Sequence, residues 1–69
     1  MFVVLAIDDD SAVLESYRAM LSDIGVRFQC TTDPNRGLEL VRELCPEMVL
    51  LKCQMPQMPG IEILRQVHN

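Results

Sequence analysis

The sequence predicts an α/β fold, a doubly wound parallel sheet of three strands in the order 2-1-3 with three helices. Strand-like and helix-like segments alternate in the order βαβαβα, which is typical of parallel sheets with crossover helices. Right-handed crossovers place both connecting helices on one face in the order 1-2-3, but on opposite faces in the order 2-1-3. The first strand is apolar on both faces and suits the centre, whereas the second alternates and suits an edge.

Residues 2–7 predict the first strand, because six apolar residues follow one another without a break. Three consecutive carboxylates come next, namely Asp8, Asp9 and Asp10. Neighbouring like charges repel, so this cluster needs a feature that stabilises it. Three explanations are open: Asp10 caps the next helix, the cluster holds a hard cation such as Mg²⁺, or it holds a cationic side chain from elsewhere.

Residues 11–24 predict the first helix, because apolar side chains recur there at helical spacing. The stripe consists of Val13, Leu14, Tyr17, Leu21 and Ile24. Asp10 stands at the N-cap position and Gly25 at C′, so we assign Asp10 to the cap and not to a set of ligands. Residues 26–31 alternate polar and apolar side chains and predict the second, half-buried strand.

The dipeptide Asp33-Pro34 predicts the start of the second helix, residues 34–45, with an N-cap followed by proline at the first helical position. Pro46 ends this helix. Its predicted inward face consists of Leu38, Val41, Leu44 and Cys45.

Residues 48–52 predict the third strand, which is apolar on both faces and ends at Lys52, the only lysine of the chain. Residues 60–68 predict the third helix. The residues expected to face inward on it are Ile61, Leu64 and Val67. In the order 2-1-3 the third strand is an edge with unpaired backbone groups, so we expect a homo-oligomer through this edge and the third helix.

Composition and charge narrow the classes of function. The chain has 69 residues and a formal net charge of −4, which argues against a surface for nucleic acid. Residues 1–7 have no basic flank and are too short for a signal peptide or a membrane span, so we expect a soluble, cytoplasmic protein without membrane contact. Cys30, Cys45 and Cys53 form no CxxC pair and are interpreted as reduced, structural thiols.

Two segments carry a resemblance to a known family. They are VVLAIDDDSAVLESYRAMLSDIG and DPNRGLELVRELCPEMVLLKCQMPQMPGIEILRQV. From Phe2 onward the chain resembles the receiver domain of two-component response regulators, whose fold is flavodoxin-like. We therefore expect residues 1–69 to form one receiver-like domain that corresponds to the N-terminal half of a receiver. The resemblance implies a signalling module of a two-component phosphorelay.

The resemblance also implies roles for particular residues. Receivers have an Asp pair after the first strand, which Asp8 and Asp9 match, and a phosphate-accepting Asp after the third strand. Two residues separate that acceptor from a Met-Pro pair; Met55-Pro56 matches the pair, so the acceptor position falls on Lys52. The residue two beyond the acceptor, here Gln54, lends its backbone carbonyl to Mg²⁺ in the family.

Lys52 is the main departure from the family pattern. An ammonium cannot become an aspartyl phosphate, so we expect a degenerate receiver that is not phosphorylatable and is not an enzyme. It would act through contacts with a sensor kinase or an output domain. Mg²⁺ binding by Asp8, Asp9 and the Gln54 carbonyl is expected to be weak or lost. The family's switch Ser or Thr and its phosphoryl-contacting Lys have no counterpart in these residues.

Adjacent strands lie about 4.8 Å apart, so the Lys52 ammonium can reach Asp8 and Asp9. We favour this ion pair over solvated side chains because of this geometry and because Lys52 is the only lysine of the chain. The pair would also relieve the repulsion between the two carboxylates. Two rival functions remain: a Mg²⁺-dependent phosphoryl acceptor that uses Asp8 or Asp9, and a self-associating half-domain that acts in assembly. His68 is expected to be solvated, and Cys53 to be an inert thiol.

Overall fold

The computed structural model of the chain describes residues 1–67 and confirms the predicted α/β fold. Its elements are β1 (Val3–Ile7), α1 (Ser11–Leu21), β2 (Arg27–Thr31), α2 (Pro34–Leu44), β3 (Met48–Leu51) and α3 (Gly60–Val67). β1 pairs in parallel with β2 on one side and with β3 on the other, which gives the predicted strand order 2-1-3. The carboxyl ends of all three strands therefore meet at one edge of the sheet.

β1 forms the centre of the core, as its unbroken apolar sequence predicts. Its residues from Val4 to Ile7 are each 2% exposed or less. Leu5 and Ile7 lie in one buried cluster with residues of α2, α3 and the loop before α3. Those residues are Leu38, Leu40, Met55 and Ile63. Side chains alternate along a strand, so Val4 and Ala6 face the opposite side, where the right-handed crossover places α1.

Side-chain caps define the starts of α1 and α2. The Asp10 carboxylate accepts a hydrogen bond from the Ala12 N–H at 2.9 Å, and the Asp33 carboxylate accepts one from the Asn35 N–H at 2.9 Å. Each bond satisfies one N–H that has no partner within the helix. The sequence therefore specifies both helix starts through a short acidic side chain.

The end of α1 differs from the prediction. The helix ends at Leu21, three residues before the predicted end at 24, with Ser22 as C-cap. The Ile24 N–H donates to the Leu21 carbonyl at 3.3 Å, so a turn bond replaces the helical one, and Gly25 then adopts a φ of +73°. The bounds of the other helices and strands lie within one residue of those predicted. His68, the predicted last residue of the third helix, lies outside the described residues.

The predicted inward face of α3 is wrong. Ile61 is 71% exposed, and Leu64 and Val67 are exposed as well, whereas Ile63 is 1% exposed and lies in the core. The apolar residues of this helix cover one broad face on which Ile61 and Ile63 lie at opposite borders, so their spacing alone does not set its rotation. Gly60 sets it, because this first residue of the helix packs against the preceding loop.

The predicted inward face of α2 is correct for three residues and wrong for Cys45. Leu38 is buried, and Val41 and Leu44 pack partly buried against the core cluster. Cys45 is exposed, because it caps the helix with a left-handed backbone at a φ of +45° and donates its N–H to the Val41 carbonyl. Leu40, which the spacing did not select, is buried as well.

β3 is an open edge. Within residues 1–67 no strand pairs with its far side. The register pairs Leu5 with Val49 and Ala6 with Leu50, so β3 presents apolar side chains to both faces of the sheet. Met48 and Val49 are exposed. No helix of the described residues is long and apolar enough to cross a membrane.

Candidate functional site

The candidate site lies where β1 and β3 end side by side. Ile7 pairs with Leu51, so the next residues along both strands leave the sheet together. The Lys52 N–H donates to the Ile7 carbonyl at 3.0 Å and continues the ladder by one bond. The structure places Lys52 Nζ 2.7 Å from Asp9 Oδ1, with the two side chains 41% and 25% exposed. The only lysine of the chain thus contacts the acidic cluster directly.

The pair stays charged near neutral pH. The hydrogen bond from Lys52 lowers the pKa of the Asp9 carboxyl, and the hydrogen bond to Asp9 raises the pKa of the Lys52 ammonium. The negative charges of Asp9, Asp8 and Asp10 act on the ammonium in the same direction, in that order of size. One cation therefore balances repulsion within the whole cluster.

The three aspartates have three different partners. Asp8 is buried, and its Oδ1 accepts a hydrogen bond from the Asp10 N–H at 2.9 Å. The Asp8 side chain thus closes a turn with the backbone two residues further on. Asp9 binds Lys52, and Asp10 caps α1 through Ala12. Of the explanations open at the level of sequence, helix capping and a cationic side chain both occur here. Within the part of the chain that the structure describes, Lys52 forms an ion pair with Asp9 but not with Asp8.

The loop after Lys52 is anchored by one methionine. Met55 is buried and belongs to the core cluster with Ile63, whereas Gln54 and Pro56 are exposed. The Gly60 N–H donates to the Cys53 carbonyl at 2.8 Å and closes the loop where α3 begins. The Met-Pro pair therefore combines a core anchor with an exposed turn residue.

The residues present do not fit Mg²⁺ well. Mg²⁺ requires oxygen ligands in near-octahedral geometry, and the carboxylates of Asp8 and Asp9 are the side chains that would supply them. The Lys52 ammonium already contacts Asp9, with 2.7 Å between Nζ and Oδ1. An oxygen of Asp8 already accepts a backbone N–H. Among residues 1–67 no three His, Cys, Asp or Glu side chains converge on one point. The donor set suits an ammonium.

Sequence reasoning missed the contact at Gly60. A Cβ there would collide with the Lys52 carbonyl and lie 2.9 Å from Cys53 Cα, so only glycine fits without a shift of the backbone. The available signal was the Pro59-Gly60 dipeptide at the start of a helix, which marks a tight turn. Cys30, Cys45 and Cys53 are free thiols; Cys53 is exposed.

Comparisons with known proteins show the family to which these residues belong. Residues 4–69 match the family model of the response regulator receiver domain. The response regulator MprA of Mycobacterium leprae (strain TN) is 38% identical over 66 residues, which cover 96% of this chain and 29% of that protein. The response regulator protein TmoT of Ectopseudomonas mendocina is 32% identical over 65 residues, with 94% and 30% covered.

A solved structure extends the likeness to the fold. The crystal structure of a response regulator receiver domain protein from Clostridium thermocellum superposes with a TM-score of 0.88 at 28% identity, over 97% of this chain and 55% of that chain. The chain spans about three-tenths of the length of the curated relatives. Receiver domains are signalling modules that typically bind Mg²⁺ at the phosphorylation site, and response regulators interact with sensor kinases and output domains. The chain therefore belongs to the response regulator receiver domain family.

Proposed function

We propose that this chain is a degenerate receiver module of a two-component phosphorelay, which acts through protein contacts and is not phosphorylated at the usual position. The observation that supports the proposal is the ion pair between Lys52 and Asp9, with 2.7 Å between Nζ and Oδ1. By the resemblance, the acceptor position of the family falls on a cation here, and that cation is engaged with Asp9.

The chemistry of the ammonium supports this reading. Phosphoryl transfer to a carboxylate forms an acyl phosphate, and Lys52 has no carboxylate. A protonated amine has no free electron pair with which to attack phosphorus, and the hydrogen bond to Asp9 raises the pKa of Lys52 further. The module is accordingly a binding partner and not an enzyme.

The rival phosphoryl acceptors, Asp8 and Asp9, are both engaged. The Asp8 side chain is buried and accepts the Asp10 N–H, and the Asp9 carboxylate is held by Lys52. A nucleophilic attack by either would first have to break these contacts. We therefore rank a Mg²⁺-dependent phosphoryl acceptor at Asp8 or Asp9 below the degenerate receiver.

Mg²⁺ binding is weak in this proposal. The two carboxylates of Asp8 and Asp9 and the Gln54 carbonyl are the oxygens that would hold the ion. The Lys52 ammonium repels a divalent cation and occupies an oxygen of Asp9. The module would act by binding a sensor kinase or an output domain.

A second function, self-association, is favoured by the open edge of β3. Met48 and Val49 are exposed on that edge, and Ile61 and Leu64 are exposed on α3. An apolar edge strand without charge or proline invites pairing with another strand. Two copies related by a two-fold axis would pair their β3 strands antiparallel.

Phosphodonor labelling tests the main proposal. The wild-type chain and Lys52→Asp are incubated with acetyl phosphate and Mg²⁺, and their intact masses are measured. We expect no hydroxylamine-sensitive adduct on the wild type and an adduct on Lys52→Asp, which regains a carboxylate at the acceptor position. A wild-type adduct on Asp8, Asp9 or Asp10 would favour the rival phosphoryl acceptor.

A further inference from the structure

The exposed apolar side chains of α3 face beyond the open edge of β3. Ile61, Leu64 and Val67 recur every three residues and are all exposed; we call them the α3 stripe. The opposite flank of the helix carries Glu62 and Gln66, which are half-buried, and this places α2 on that flank. Because α2 packs over β1 and β2, the α3 stripe points away from them and past β3.

A second apolar surface without a covering helix lies on the other face of the same edge. The register pairs Val4 with Met48 and Ala6 with Leu50, so these four side chains share the face that carries α1. Since α1 packs towards β2, Val4 and Ala6 are buried, whereas Met48 is exposed and Leu50 is half-buried. We call Met48 and Leu50 the bare strand face, over which no helix lies within residues 1–67.

The two surfaces lie at matching heights along the strands. Gly60 packs against the Lys52 carbonyl, so α3 begins level with the end of β3. Ile63 belongs to the core cluster with residues of β1, so the helix runs back over the sheet. From Gly60 to Val67 the helix descends about 10 Å, at about 1.5 Å per residue. From Lys52 to Met48 the strand descends about 13 Å, so Val67 lies close to the level of Met48.

A two-fold axis parallel to the strands, just beyond the edge of β3, brings these surfaces together. Rotation about such an axis exchanges the two faces of the sheet and leaves every height along the strands unchanged. The α3 stripe of one copy then lies over the bare strand face of the other, and the reverse contact forms at the same time. Val67 meets Met48 of the second copy in both contacts.

Charge complementarity favours a second copy as the occupant. The N-terminus of an α-helix carries a partial positive charge. In the two-fold pair the start of α3 comes level with the acidic cluster of the second copy, where Asp8, Asp9 and Asp10 are balanced by Lys52 alone. The α3 stripe and the bare strand face carry no charged side chain, so no ionised group is buried between them.

We propose that the α3 stripe of one copy docks on the bare strand face of a second copy, in a reciprocal two-fold dimer. The inference rests on the proposed self-association and names the side chains that carry it. The contact differs from antiparallel pairing of the β3 edges, because that pairing keeps the same face of both sheets on one side. No α3 stripe would then reach a bare strand face.

Mixing of two charge variants tests the reciprocal contact. Met48→Lys and Val67→Glu each place an unpaired charge against an apolar side chain in both contacts of their own dimer. The wild-type side chains are 47% and 42% exposed within one copy, so the fold tolerates either charge. We expect light scattering over a dilution series to show the dimer of each variant weakened by about tenfold or more.

An equimolar mixture of these two variants should recover the dimer. One contact is then wild-type on both sides, and the other joins the introduced ammonium to the introduced carboxylate. Met48→Lys mixed with Val67→Lys is the matched control, and it should recover less because its second contact joins two cations. Absence of recovery in the first mixture, or equal recovery in both mixtures, would overturn the proposal.

Association of either single variant as tight as that of the wild type would overturn it too. A wild-type chain that stays monomeric removes the proposed self-association as a whole, and this contact with it. A wild-type dimer without recovery on mixing removes this contact alone. Failure of the degenerate receiver is seen elsewhere, as a phosphoryl adduct on the wild-type chain, and the mixing experiment does not depend on it.

Discussion

Lys52 Nζ and Asp9 Oδ1 lie 2.7 Å apart, across the carboxyl ends of two adjacent parallel strands. The two residues are 43 positions apart in sequence, and only the 2-1-3 strand order makes them neighbours. In this receiver the cation at the acidic pair is a side chain of the protein itself. The pair forms between two side chains of the chain and requires neither a phosphoryl group nor a metal ion.

The cap of α2 gives a direct test of how the sequence specifies the fold. Asp33→Ala removes the acceptor for the Asn35 N–H, and we expect it to lower the free energy of unfolding by about 0.5–2 kcal/mol. Urea unfolding measures the change. Asp33→Asn is the matched control, because asparagine caps about as well, and it should lie close to the wild type. Equal stability of all three chains would contradict this role.

Glu47 lies at the opposite end of the sheet, where β1 begins, and we expect it to make the free energy of unfolding depend on pH. Its carboxylate accepts the Val3 N–H, and this hydrogen bond lowers the pKa of Glu47. A lowered pKa means that the contribution is fully present above the unfolded pKa of about 4.3 and is lost as pH falls through the folded pKa.

The measurement compares urea midpoints of the wild type and Glu47→Gln between about pH 7 and pH 3. The wild type should be the more stable at neutral pH, and the difference should shrink on acidification. Glu43→Gln, which removes an exposed carboxylate from α2, serves as the control. A difference that stays constant over the whole pH range would show that protonation of Glu47 does not change the stability contributed by its contact with Val3.

Self-association through β3 is expected to depend on Val49. Light scattering over a dilution series should show a dimer or a larger assembly for the wild type. Val49→Lys puts a charge on the open edge and should shift the equilibrium towards monomer by about tenfold or more. Met20→Lys changes an equally apolar, exposed residue on α1 and should leave the mass unchanged. A wild-type monomer whose Val49 and Leu51 amides are strongly protected would contradict this expectation.

The strand order followed from the sequence because strands differ in how many faces are apolar. β1 is an unbroken apolar run and lies in the middle, and β2 alternates and lies at an edge. The helix starts followed as well, since Asp10 and Asp33 are short side chains that satisfy local backbone donors. These features depend on near neighbours in the chain.

Other features depend on contacts that spacing does not encode. The rotation of α3 follows from the fit of Gly60 against the loop, so Ile63 is buried and Ile61 is not. The choice of Asp9 over Asp8 as the partner of Lys52 follows from the turn that Asp8 closes with its own side chain. Both are set by the three-dimensional path of a loop.

Mg²⁺ titration by calorimetry tests whether the Lys52 ammonium takes the place of a metal ion at Asp9. The affinity should rise from the wild type to Lys52→Ala and again to Lys52→Asp, which should bind Mg²⁺ at least about tenfold more tightly than the wild type. Arg36→Asp changes the net charge by the same amount at a residue of α2 that pairs with Glu39 and Glu43 and not with the acidic cluster, and it should match the wild type. If the wild type bound Mg²⁺ as tightly as Lys52→Asp, the ammonium would not be taking the place of the metal ion.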